Sequence, residues 1–117
     1  MLAAIFLRPE IMKNPDILKI STLTGDWCDN DIVLLHACFQ LLADCIEKEH
    51  LFMGHVDWTL TEESKATKRE IEELYEWWKK RRNLQVTDGW SELEKTQYDK
   101  DTEMLIRLIK IRQHLWT

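Results

Sequence analysis

The chain has 117 residues, 44% of them hydrophobic and 32% charged, a length and balance suited to one domain that buries a core and stays in solution. Its net charge of −5 argues against a general nucleic-acid binder, which would present a basic face. No apolar run approaches the ~20 residues of a membrane span. Six tryptophans beside only three glycines and two prolines favour a compact helical domain with little irregular chain.

Residues 1–28 read as an irregular N-terminal segment. Leu2 to Leu7 is apolar and fits a short strand or a helix start. Arg8, Pro9 and Glu10 interrupt it and no basic stretch precedes it, so no signal peptide is expected. Asn14-Pro15-Asp16 reads as the start of a short helix over 15–21, and Thr24-Gly25-Asp26 as a loop. The central element follows at 29–49. Ile32, Leu35, Phe39, Leu42 and Ile46 recur at alternating three- and four-residue steps, one stripe of a helix. Leu34, Cys38, Leu41 and Cys45 form a second stripe, which predicts burial on more than one side. Asp29 or Asn30 is the expected N-cap, with Asp31 adding favourable charge.

Leu51 to Leu60 reads as a connection. Thr59 and Glu62 stand at capping-box spacing and open a second helix running to about Arg82. Thr67, Ile71, Leu74 and Trp78 line its apolar face. Asn83 to Gln97 reads as a polar connection turning at Asp88-Gly89, with Trp90 and Leu93 pinning it to the body. A third helix is expected from Asp99 or Asp101. Met104, Leu108, Ile111 and Leu115 form one stripe on it; Leu105, Ile109 and Trp116 form a second. The predicted fold is all-α: a compact bundle of three main helices plus a short N-terminal element, in a single domain over 1–117 with the helical core at 29–117.

The candidate chemistry is sparse. Glu70, Glu73 and Glu76 share a helix face and can hold Mg²⁺, which takes a few carboxylates and keeps its waters. All-α nucleotide pyrophosphohydrolases pair such an ExxE with an ExxD on another helix, and here no glutamate is followed three residues later by an aspartate. A solvated acidic face is the plainer reading. His36, His50, His55 and His114 lack the i, i+4 spacing of a helical zinc site, and His36 reads as a hydrogen-bonded core residue. Cys28, Cys38 and Cys45 read as free thiols of a reducing compartment. Trp77 adjoins Trp78, so the two indoles diverge by about 100° on a helix. With Trp78 inward, Trp77 moves to the surface beside Arg81 and Arg82, a pairing suited to stacking a base and holding a phosphate. Packing of Trp77 on a neighbouring element is the plainer alternative. Two helices joined by so short a connection are expected to pack antiparallel, which puts Arg107 and Arg112 on the neighbouring helix with Arg82 and Arg107 sharing a rim.

LLHACFQLL, the HVDW loop, EIEELYEWWKKRR and the ending MLIRLIKIRQHLWT resemble small proteins encoded by tailed bacteriophages, over residues 27–117. That resemblance implies a phage counter-defence protein in the cytoplasm of an infected bacterium. The expected activity is non-enzymatic: binding and sequestering a nucleotide-derived immune signal with Trp77, Arg81, Arg82, Arg107 and Arg112, as a homo-oligomer, without cofactor. The alternatives are the Mg²⁺-dependent hydrolase and an inhibitor that binds a host defence protein.

Overall fold

The computed structural model describes residues 18–23, 29–54, 56–84 and 92–115. Three α-helices run through them: α1 over Asn30–Glu47, α2 over Glu62–Arg81 and α3 over Glu92–Ile111. Short 3-10 turns follow α1 at Leu51–Met53 and α3 at Arg112–His114. No strand occurs among the described residues, and the helices pack on one another as an all-α bundle. No helix is long and apolar enough to cross a membrane, among the described residues.

The core forms where the inward stripes meet. Leu35, Phe39 and Leu42 of α1, Ile71, Leu74 and Trp78 of α2, and Met104 and Leu108 of α3 are all buried. Trp78 stacks on Phe39 with ring centroids 5.0 Å apart and takes the edge of His36 at 4.8 Å. These rings supply a large contact area where three helices converge. The second stripe of α1 behaves differently along its length. Cys45 is buried and Cys38 half-buried, whereas Leu34 and Leu41 stay exposed. Burial pushes the Cys38 thiol above its ordinary range.

Asp29 is the N-cap of α1 in extended backbone, but its side chain makes no capping bond. Asp31 instead accepts from the Ile32 amide at 2.9 Å. At the other end the Lys48 and Glu49 amides both bond the Asp44 carbonyl, and His50 turns the chain with φ of 53°. The α2 cap departs from the expected one. Thr61, not Thr59, caps the helix, accepting from the Ser64 amide at 3.0 Å. Thr59 instead lies in the Asx turn that precedes the helix, its amide and hydroxyl both donating to Asp57 Oδ1, at 2.9 and 2.6 Å. Glu62 and Glu63 then fill the first turn and Lys79, Lys80 and Arg81 the last, matching the helix dipole.

The start of α3 is also earlier than its stripe indicates. Residues 92–97, read from sequence as polar connection, are helical. In the sequence Ser91 and Glu94 stand at capping-box spacing, a start signal carried by polar residues rather than by an apolar stripe. Residues 18–20 have no regular structure and 21–23 form a turn, so the short helix expected over 15–21 is absent from its described part. This turn is tied to α1: the Ser21 amide and hydroxyl donate to Gln40 Oε1, and Thr22 Oγ1 shares a 2.6 Å hydrogen bond with His36 Nδ1. The readings of Leu2–Leu7, Thr24-Gly25-Asp26, Cys28, His55, Asp88-Gly89, Trp90 and Trp116 lie outside the described residues, as does the side chain of Leu93.

Candidate functional site

The charged chemistry gathers along the seam between α2 and α3, which run antiparallel. At one end Arg81 forms a bidentate pair with Asp101, its Nε 2.8 Å from Oδ1 and its Nη2 2.9 Å from Oδ2. Gln97 donates to the same Oδ1 at 2.9 Å. Both charged residues are buried. Their dry placement is tolerable because each is paired and hydrogen-bonded by the other. His36 lies close enough to feel both. Burial first, and the Arg81 charge second, hold its imidazole below the ordinary pKa, with Asp101 opposing. Gln40, one turn on from His36, donates to Asp44 Oδ1 at 2.8 Å.

At the other end Arg107 reaches across to α2. Its Nε donates to Glu70 Oε2 at 2.8 Å, its Nη2 to Glu70 Oε1, and Nη2 also to Glu73 Oε1 at 3.2 Å. The Arg107 hydrogen bonds hold the Glu70 carboxyl below its ordinary range, and the same bonds raise the Arg107 guanidinium further. Glu76, last of the acidic row, pairs with Lys79 at 2.9 Å. The row thus serves as the counter-charge of α3 and of its own helix. No group of three or more His, Cys, Asp or Glu side chains comes together as a metal set among the described residues.

The five residues expected at a ligand site are distributed rather than convergent. Arg81 is committed to Asp101 and Arg107 to Glu70 and Glu73. Arg82 sits 3.7 Å from Glu47, whose carboxylate also accepts from the Tyr75 hydroxyl at 2.5 Å. Burial, and secondarily that bond to Glu47, pushes Tyr75 up to about 12. Trp77 is partly buried against Phe39 at 5.3 Å, on α1. Arg112 is exposed and donates to the Ile109 carbonyl at 2.8 Å. The partners of Arg107 precede Arg82 by nine and twelve residues on α2, about 14–18 Å along the axis. The shared rim of Arg82 and Arg107 is therefore not formed.

A second feature was not foreseen in the sequence. The loop from the 3-10 turn to α2 exposes three apolar side chains: Met53 at 84%, Leu60 at 75%, and Val56. Side chains on either side of them are nonetheless packed. Trp58 is buried and meets Phe52 edge-on at 5.7 Å, and Lys68 lies over the same Phe52 ring at 5.4 Å. The Asp57–Thr59 bonds fix the next turn and hold the Asp57 carboxyl below its ordinary range. Residue type alone gives no warning of this arrangement, because Met, Val and Leu ordinarily read as core.

No protein family, curated protein or solved structure matches this chain.

Proposed function

We propose that this protein is a non-enzymatic binding protein of the counter-defence class, and that it docks a host protein through the apolar loop over 53–60. The observation that carries this reading is the pairing of exposure with order: Met53, Val56 and Leu60 face water on a loop whose neighbours Phe52, Asp57, Trp58 and Thr59 are locked. Exposed apolar side chains on a fixed scaffold are a recurrent form of protein-binding site. A photo-crosslinker at Met53 or Leu60, in infected bacterial cells, is expected to trap one discrete protein. The same crosslinker at Glu72, on an exposed turn of α2, should not. Equal trapping at all three positions removes the loop from the interface.

Sequestration of a nucleotide-derived signal is the second reading. It rests on the cationic end of α2, where Lys79, Lys80 and Arg82 follow Trp77. Arg81 and Arg107 lend little to it while their carboxylates hold them. Calorimetry with a panel of cyclic and ADP-ribose-type nucleotides separates the two readings. Binding weakened about tenfold or more by Trp77→Ala or Arg82→Ala, without change in melting temperature, favours the nucleotide. No heat with any nucleotide favours the protein partner.

A further inference from the structure

The outer side of α3 carries a largely apolar stripe that the bundle covers only in part. Tyr98, Thr102, Leu105 and Ile109 follow at steps of four, three and four residues, within about 60° of arc. Tyr98 and Ile109 are about half exposed, Thr102 is exposed and Leu105 partly buried. Ile106, also about half exposed, widens the stripe on one edge. Met104 and Leu108, which face the core, lie round the other side.

Charge along the same helix is divided. Residues 92–103 hold five acidic and two basic side chains; residues 104–115 hold three Arg or Lys and no acid. Asp99 and Lys110 flank the stripe on the same edge as Ile106. Both are exposed, and neither forms an ion pair with another described residue.

We propose that this face is the interface with a second copy of the chain, α3 packing antiparallel on α3 about a two-fold axis between Met104 and Leu105. Asp99 and Lys110 stand equally far from that axis, about 8 Å along the helix. The two-fold therefore brings Asp99 of one copy level with Lys110 of the other, twice. It also sets Tyr98, Thr102, Leu105 and Ile109 of one copy between the levels of those of the other, so the side chains interleave. A parallel pairing, with the two-fold along the helices, would set this edge of one copy on the opposite side from that of the other and bring no unlike charges together, so charge favours the antiparallel one. This self-complementarity is what an isologous contact requires of a single surface. The face includes none of residues 53–60, and its test reads mass rather than partner capture.

Sedimentation equilibrium over a concentration series tests the arrangement. The wild type is expected to approach twice its 14.1 kDa chain mass. Asp99→Lys alone should weaken self-association about tenfold or more, because it sets like charges together at two symmetric points. Adding Lys110→Asp to the same chain should restore it. Ile109→Glu should give the single-chain mass with an unchanged helical circular-dichroism spectrum. A wild type that stays at the single-chain mass overturns the proposal. So does a dimer indifferent to Asp99→Lys, or one not rescued by the double reversal; these two results hold even if Ile109→Glu fails to fold.

Discussion

The two ends of the α2–α3 seam use the same chemical pair in different surroundings. Arg81 and Asp101 meet with side chains 4% and 10% exposed; Arg107 and Glu70 meet with 27% and 28%. Both arginines grip a carboxylate with two nitrogens. Water reaches only one of the pairs. At the buried end neither charge has an alternative partner in solvent, so the bond acts as a register mark for the two helices. At the open end water can replace Glu70 or Glu73, so the clamp adds less to stability and responds to salt. Geometry alone would rank the two pairs as equals, and burial separates them.

The sharpest way to break this comparison is Asp101→Ala. It strands a buried guanidinium and is expected to destabilise the fold by about 3–5 kcal/mol in urea titration. Arg81→Met with Asp101→Leu should recover most of that loss, since it removes both charges together. A single-variant loss under about 1 kcal/mol would mean that water already enters this end.

Acid should act on the two ends in different ranges. His36, beside Arg81, has a lowered folded pKa, so below about 6.5 the unfolded chain takes up a proton that the folded chain refuses. Stability therefore falls as pH drops from there towards the folded value. Glu70 is lowered too, so its contribution is complete above about 4.5 and is lost as pH falls through its folded pKa. Urea midpoints against pH should show both stages. His36→Gln should remove the upper stage and leave the lower, and a flat midpoint between about pH 6.5 and 5 in the wild type would contradict the burial assigned to His36.

Arg107→Met should have the smallest effect, about 1 kcal/mol or less, and the difference from wild type should shrink in high salt. A loss as large as that of Asp101→Ala would show that the open end is not open.

Where periodicity is local, the sequence was readable. Leu35, Phe39, Leu42 and Ile46 of the first stripe, the Ile71–Leu74–Trp78 face and the Met104–Leu108 pair all point inward as their spacing implies. What depends on distant neighbours was not. Leu34 and Leu41 share a stripe with Cys38 and Cys45, yet their exposure is decided by what packs beside α1. Arg81 is drawn inward by Asp101, 20 residues away, and a run of Lys79-Lys80-Arg81-Arg82 does not announce which member turns in. Thr59 fits a capping box by spacing, yet Thr61 caps the helix while Thr59 joins the Asx turn of Asp57 before it. The candidate site was legible as a set of cations on two antiparallel helices. Their separation and their carboxylate partners were not, because both follow from the register of α2 against α3.

That register also carries a direction in time. The Arg81–Asp101 contact closes a loop of 20 residues, the Glu70–Arg107 contact one of 37. Closing the longer loop first costs about 0.5 kcal/mol more chain entropy, so assembly is biased to zip from the connection outward. Stopped-flow refolding can read this polarity: Asp101→Ala should act mainly by slowing folding, whereas Ile71→Val, near the far end, should act mainly by speeding unfolding. The reverse partition would place the nucleus at the Glu70 end. With the expected partition, the open clamp is the last part of the seam to close and the first to fray, and a thermal excursion would part α2 from α3 there while the buried pair still holds.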